Sequence, residues 1–565
     1  FFFVDHHLAM SGLGYFAEDI VDRANFPETA VGVPSYADES QEIIGSTDET
    51  YVPEAVKKFI IDFHKAFRNK DLTSILALYE GAWNELSEKW YKNSSWPKVE
   101  VIAPFVNNDA LFLVLYKEMY YRHVYSLNSG TLVTLEDRVE SFQNYFNLFA
   151  YLIKTPPENI DISLPNQWIW DMIDEFIWQY NDYAKFRAKL ANMRFQATKD
   201  PEVEKNIEFV AKQKDIWSSV YVIVTLNALV TKSDIKHLLD TEKRDGPSSA
   251  PSSSGAFFIK MLGYYSLIGL LRVHTLLGDY HTAIKCIDSI DFTKRVQLFS
   301  KVVACHITLF YYTGFVFMML RRYADAVKFF TQLLTYINRI KNIHTRSYQY
   351  DDIIKKNEQV YHLLAMTLAL CPQRCAVDEV MLTTLKERLN EKIVRLEQGD
   401  LDAFSEMFKY ACPKFVSFAT HFSDDRTNVA EALETQRGLF LREVQQQLVL
   451  PTIHSYLSLY STISVSKLAS FMEQDSHQVP EKQFRTYLLM LKHKTCQLTW
   501  TGGKPSEGER ACISDIAFYI DKNMVYVQNH ANNNLRNRSH TQYFVDQIRY
   551  LRPCLDTLSG ATATR

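Results

Sequence analysis

Leu277-Gly278-Asp279-Tyr280-His281-Thr282-Ala283-Ile284 returns 43 residues later as Leu320-Arg321-Arg322-Tyr323-Ala324-Asp325-Ala326-Val327. Both copies are entered from an aromatic-rich apolar run, and in both an Ala stands three residues after a Tyr. That order marks the turn and second-helix start of tetratricopeptide-like hairpins, in which the small Ala lets the paired helices approach closely. The offset exceeds the usual period of ~34 residues, so these hairpins need longer helices or loops. The reading is a mainly α chain organised around helical repeats.

Composition points the same way. The 565 residues include 18 Gly and 17 Pro, about 6% of the chain against roughly 12% in ordinary proteins. A β-sandwich or propeller needs more turn residues than that. Hydrophobic residues make up 47%, with 36 Phe and 32 Tyr, enough to fill a large core in about three or four domains. The eight cysteines are scattered rather than framed in a short chain, which reads as free thiols in a reducing compartment. Val302 to Leu320 carries no Asp, Glu, Lys or Arg over a length that could span a bilayer. It contains His306, Tyr311, Tyr312 and Thr313 and runs straight into the repeat, so a doubly buried helix and no membrane contact are expected. The leader Phe1–Val4 lacks the basic residues of a signal peptide, and Met10 is a candidate start.

Charge and pattern divide the chain. Residues 1–50 hold ten acidic side chains against Arg23 alone and read as an acidic flexible arm. An N-terminal helical domain over 51–240 begins at Pro53. Within it Glu118 is placed to pair with Arg122 at i,i+4. After Pro165, Ile169, Met172, Ile173, Phe176 and Tyr180 form an apolar stripe, and Asp171, Asp174, Glu175, Gln179 and Asp182 face away from it. A Ser/Pro-rich linker occupies 241–256, and the repeats fill 257–440. From 441 to 530 the texture changes. Leu450 to Tyr460, a segment starting at Val465, and Pro480 to Lys494 read as three helices. Period-two segments follow at Gln497–Trp500, Ile516–Ile520 and, after a turn at Asp521–Asn523, Met524–Val527. Three helices and a small antiparallel sheet make a winged-helix pattern. A C-terminal helix and tail cover 531–565, with Arg536, Arg538, Arg549 and Arg552 adding positive charge.

A repeat array leading into a winged helix resembles the plan of PCI proteins, which build the proteasome lid, the signalosome and translation initiation factor 3. Local strings are similar to the L-subunit family of eukaryotic translation initiation factor 3. They include Leu115-Tyr-Lys-Glu-Met-Tyr-Tyr-Arg-His123, Leu164-Pro-Asn-Gln-Trp168, Lys260-Met-Leu-Gly-Tyr264, Cys412-Pro-Lys-Phe415, Glu443-Val-Gln-Gln-Gln447 and Tyr519-Ile-Asp-Lys-Asn-Met524. The resemblance runs in order over about 51–555. It departs at the Ser/Pro stretch 245–254 and at Ser476 to Glu481. It implies a non-catalytic, cytoplasmic scaffold with a PCI module at about 325–530. Other factor 3 subunits, K and E among them, and the small ribosomal subunit are the implied partners. The implied role is preinitiation complex formation and messenger RNA recruitment. A lid or signalosome scaffold and a stand-alone nucleic-acid-binding winged helix are the alternatives.

Two surfaces of the winged helix are candidate sites. A helical wheel puts Phe484, Tyr487, Leu488 and Leu491 on one face of the third helix, and Lys482, Arg485, Lys492 and His493 on the other with Leu489 among them. The basic side chains suit RNA phosphates, as do Arg536 and Arg538; a solvated face, or a protein interface anchored by Leu489, is the other reading and the favoured one. In the hairpin, alternation puts Ile516, Phe518 and Ile520 on one face, with Met524 and Tyr526 following across the turn. Its open strand edge suits addition of a neighbouring subunit's strand.

Enzyme signatures are weak. Gly12-Leu-Gly14-Tyr-Phe-Ala17 lacks a following βαβ unit, and Gly502-Gly503-Lys504 is followed by Pro505 rather than Ser or Thr. Cys371, Cys375 and His362 lack a fourth ligand. No catalytic residue, cofactor, metal or small-molecule substrate is expected.

Overall fold

Four turns among the described residues share one construction. Lys70, Gly278, Arg321 and Gly399 close their helices with positive φ values of 57°, 82°, 65° and 80°. At each, the amide of that residue bonds the carbonyl three residues back, and the next amide bonds the carbonyl five back. This double bond satisfies carbonyls that a helix end leaves open. After three of the turns an Asp follows at once. Asp71, Asp279 and Asp400 each accept from an amide in the first turn of the next helix, the usual N-cap arrangement. The fourth turn has Arg322 in that place.

The structure is a computed structural model. It describes residues 52–127, 133–193, 201–245, 254–292, 298–340, 350–371, 377–417, 431–473, 480–512, 516–529, 548 and 551–552. The acidic arm, most of the Ser/Pro linker, Arg536, Arg538 and Arg549 lie outside these.

Two of those turns join the hairpins foreseen from the repeat. Ser254–Leu277 turns into Tyr280–Cys286, and Val303–Met319 turns into Tyr323–Ile340. Ala283 and Ala326 are fully buried. A Cβ on Gly314 would come within 2.6 Å of the Phe330 ring, so the second hairpin closes tightly only because position 314 has no side chain. Tyr350–Leu370, Glu379–Glu397, Leu401–Ala411 and Glu431–Leu459 continue the array. Gly255–Leu277 is long and apolar enough to cross a membrane by length and composition, and 78% of its apolar window is buried inside the fold. Val303–Met319, the stretch singled out in the sequence, is shorter and buried along most of its length.

The N-terminal helices are held by aromatic stacks, among them Trp83 on Trp96 at 3.9 Å and Phe63 on Trp168 at 5.5 Å. The polar side of helix Asn166–Met193 also points into the protein. Asp171 accepts from the Tyr79 hydroxyl at 2.7 Å and lies 3.6 Å from Arg122. Asp174 pairs with Arg272, Asp182 with the buried Arg138, and Gln179 accepts from Ser141. Glu118 and Arg122 form the pair expected from their spacing, with Glu118 fully buried. Burial pushes the Glu175 carboxyl up to about 7 and that of Asp171 up to about 6.

Helix Glu431–Leu459 links two cores. Leu433, Phe440, Val444 and Leu448 belong with the array; Leu450, Ile453 and Leu457 belong with a second, smaller cluster. Pro451 lies inside this helix at the changeover. The apolar pattern from Leu450 predicts a separate short helix, whereas the helix is continuous through the proline. The smaller cluster is completed by Ile463, Val465 and Leu468, by Phe484, Leu488 and Leu491 of helix Glu481–Lys494, and by Ile516, Phe518 and Val525 of the sheet. The chain is thus a mainly α repeat array with a winged-helix end.

The sheet differs from expectation in its membership. β1 (Thr462–Ser464), β2 (Cys496–Thr499), β3 (Glu509–Cys512), β4 (Ile516–Asp521) and β5 (Met524–Asn529) do not form one sheet. The order is β1-β5-β4, all antiparallel, and β2 pairs only with β3. The segment at Gln497–Trp500, expected as the first wing strand, is therefore outside the wing sheet, and the three residues of β1 take that edge.

Candidate functional site

The wing's outer surface is decided by the hairpin register. Asp521 pairs with Met524 around a two-residue turn, so Ile520 faces Val525 and Phe518 faces Val527. Those residues share the inward face: Val525 is fully buried, Ile516 and Phe518 are nearly so, and Ile520 and Val527 pack against the cluster. Met524 and Tyr526 lie on the opposite face. Their grouping with Ile516, Phe518 and Ile520 is corrected on this point, because a two-residue turn instead of a three-residue one inverts the side on which β5 presents its side chains. The outward face carries Tyr519, 53% exposed, stacked on Tyr526 at 4.9 Å, with Met524 exposed beside them.

Among the described residues β4 is the sheet's edge strand on the side away from β1. Val527 donates its amide to Ser461, on the β1 side, at 2.8 Å. Phe518 and Val527 are thus a pair that exchanges no hydrogen bonds, and Phe518 turns its backbone groups outward from the sheet. Lys492 Nζ reaches the Phe518 carbonyl from helix Glu481–Lys494 at 3.4 Å. Arg485, one stripe further toward the helix start, donates to Asn523 Oδ1 at 2.9 Å and to Glu481 at 3.2 Å. Arg485, Leu489 and Lys492 fall at i, i+4 and i+7, so Leu489, 60% exposed, borders the same edge. Lys482 and His493 are exposed. The basic stripe is therefore partly engaged within the wing itself: two of its four members brace the hairpin.

A second contact ties the wing to the array. Between β2 and β3 the chain reaches back to the repeat turn that carries Arg322. Asp325, fully buried, receives the Trp500 amide on both carboxylate oxygens at 3.0 Å. Arg322 holds the same Asp325 through Nε and Nη2 at 2.9 Å. It also donates to the carbonyls of Pro505 at 2.7 Å and Glu507 at 3.2 Å. Its guanidinium lies 4.5 Å over the Phe317 ring. Trp500 packs against Phe292 and Phe329 of the array core. At the tip, Ser506 gives both its amide and its hydroxyl to Asp288, at 2.9 and 2.6 Å. Lys494 and Arg321 converge on Glu443 of the long helix at 2.7 and 3.0 Å. We call the segment 500–507 the strap. Its sequence signal is an exchange within the repeat: Asp279…Thr282 in one copy becomes Arg322…Asp325 in the other, converting a helix cap into an ion pair.

Among the described residues no group of three or more His, Cys, Asp or Glu is arranged to hold a metal. His362 bonds the Glu358 carbonyl at 2.9 Å and Lys392 at 3.2 Å; Cys375 and the glycines at 12 and 14 lie outside those residues. Cys286, Cys305, Cys371, Cys412 and Cys496 are free thiols.

A family model described as RNA polymerase I-associated factor PAF67 matches residues 137–551. A eukaryotic translation initiation factor 3 subunit L from Nematostella vectensis is 41% identical over 521 residues, covering 91% of this chain and 94% of that protein. The subunits of the same name from Xenopus tropicalis and Homo sapiens are 41% and 39% identical over 507 residues. Those two alignments cover 85% of this chain and 87% and 86% of the relatives.

Proposed function

The chain belongs to the eukaryotic translation initiation factor 3 subunit L family, and from that premise we propose that it is a non-catalytic scaffold of the factor 3 complex. In this reading it acts in the cytoplasm, in small-subunit preinitiation complex formation and messenger RNA recruitment. The array over 257–440 and the winged helix over 441–530 act together as a PCI module of about 325–530, and subunits K and E are its neighbours.

The observation that carries the reading is the β4 edge. The outward-facing Phe518 amide, Leu489 beside it and a stacked Tyr519–Tyr526 pair on the outer face offer main-chain pairing with apolar anchors. A neighbouring PCI subunit would add its strand there. Protein contact is favoured over RNA contact at the third helix because Arg485 and Lys492 already have partners within the wing.

Affinity purification of the tagged chain from cells tests this. Other factor 3 subunits and small ribosomal subunits should co-purify. A chain carrying Leu489→Glu and Met524→Glu should lose the factor 3 neighbours while keeping its helical content by circular dichroism. Recovery of the double variant in an intact complex would remove the β4 edge as the assembly surface. Absence of every factor 3 subunit from the native preparation would remove the scaffold reading itself.

A further inference from the structure

We propose that Ser506 is a phosphorylation site and that a phosphoryl group there unlatches the strap from the helical array. The inference is independent of which subunits the wing meets, since it concerns a contact within this chain.

Ser506 sits at the strap's tip, half-buried, between the buried Pro505 and the exposed Glu507. Its hydroxyl is a donor to Asp288 Oδ2 at 2.6 Å, and its amide is a donor to Oδ1 of the same carboxylate at 2.9 Å. The sequence Ser506-Glu507-Gly508-Glu509 places acidic side chains one and three residues after the hydroxyl. Both glutamates are exposed. Acidic residues on that side of a serine complement a kinase whose substrate cleft is basic, a charge pattern that selects substrates. In the transfer, the γ-phosphoryl of ATP forms a bond to Ser506 Oγ as its bond to ADP breaks, and the hydroxyl proton leaves to the kinase's base.

The product cannot keep the native contact. The hydroxyl that donated to Asp288 has become an acceptor, and a charge of about −1.5 to −2 stands against a carboxylate. Among the described residues, the cations bonded to the strap or its seat are already engaged. Arg322 is held by Asp325 and the Pro505 and Glu507 carbonyls. Lys243 donates to the Asp288 carbonyl at 3.0 Å, and Lys504 pairs with Glu507 at 3.7 Å. Drawing any of them to the phosphate takes a bond from the strap or its seat. The wing's own apolar cluster contains no residue of the strap, so the strap can lift without unfolding the wing.

The test uses the full chain, an acidophilic serine kinase and ATP, with site mapping by mass spectrometry and hydrogen exchange on the product. Phosphate is expected on Ser506. Exchange in the peptide covering 500–508 should rise at least about tenfold, the loss of a charge-assisted hydrogen bond, with 484–491 unchanged. Ser506→Ala should block the labelling at this position. In Asp288→Asn, phosphorylation should open the strap by a smaller factor, because the opposing charge is gone; an equal factor overturns the mechanism. Failure of the kinase to label Ser506 in the chain while it labels a synthetic 500–512 peptide overturns the site. Labelling with unchanged exchange overturns the switch.

Discussion

The array and the wing share helix Glu431–Leu459, yet they treat their side chains in opposite ways. The array shares one interior with the N-terminal helices, continuous from Val52 to Val444, and that interior takes in polar groups as well, Glu118, Arg138, Gln179 and Asp325 among them, each with a partner. The wing's cluster is a few side chains from three helices and a three-stranded sheet, and it leaves aromatic rings outside. A core that small contributes little stability of its own. The difference teaches where each region's stability comes from. The array holds itself through its own interior, while the wing folds on its small cluster and is fixed against the array by the strap and by Glu443. Rings that its core does not need, Tyr519 among them, remain on the surface.

Removing Arg322 attacks that comparison most strongly. Arg322→Ala leaves the Asp325 carboxylate buried with only the Trp500 amide and the start of its own helix facing it. Truncating one partner of a buried ion pair costs about 3–5 kcal/mol, read from equilibrium denaturation. The same variant should expose the Trp500 and Ser506 amides to hydrogen exchange. A loss below about 1 kcal/mol with the strap still protected would mean that Ser506 and Trp500, not the Arg322–Asp325 pair, hold the wing to the array.

A smaller effect of opposite sign is expected among the N-terminal helices that share the array's interior. The Glu175 carboxyl is raised from 4.5 to about 7, first by burial, with like charges at Glu118 and Asp174 adding to it. Between those values the folded protein holds a proton that the unfolded chain has lost. This group's contribution therefore falls as pH rises from about 4.5 to 7. Glu175→Gln removes the charge but keeps a group able to accept from Gln179. The variant should lie close to the parent at pH 5 and exceed it at pH 8 by on the order of 2 kcal/mol. Each tenfold change in proton affinity is worth about 1.4 kcal/mol, and partial solvent contact discounts the total. Thermal melts across that range check it. Equal stability at both ends would show the polar interior to be wetter than its packing implies.

The two regions also differ in how far they were legible in the sequence. The repeat was readable because its information is local: a Tyr, a small Ala three residues on, and a turn between them. The strap was not, because its acceptors at Pro505 and Glu507 are main-chain carbonyls that any residue would supply, 183 and 185 positions from Arg322. The polar side of Asn166–Met193 was legible as a stripe but not as an interior one, since Arg122, Arg138 and Arg272 come from three other helices. In the wing, alternation identified Ile516, Phe518 and Ile520 as one face. The length of the turn decided the rest. Reading Asp521 to Asn523 as three turn residues, where the register has two, sent Met524 and Tyr526 to the wrong side.

The smallest effect isolates what the wing's rings are for. Tyr519 and Tyr526 stack at 4.9 Å and 12°; in the array, Phe408 and Phe440 stack at 4.7 Å and 18°. The geometries are nearly the same, but Phe408 and Phe440 are buried and Tyr519 is not. Phe408→Ala should cost about 3–5 kcal/mol, transfer and cavity terms together. Tyr519→Ala opens no cavity and forfeits only a cross-strand pair, roughly 0.2–1 kcal/mol. A double-mutant cycle with Tyr526→Ala should recover most of that as coupling between the two rings. If Tyr519→Ala instead cost as much as Phe408→Ala, the ring would be part of the wing's core and unavailable to a partner. A small cost means that the stack is preorganised at little expense to the fold, with two rigid aromatic faces held side by side on the sheet's outer surface. Holding them so before contact lowers the ordering entropy that a partner must otherwise overcome.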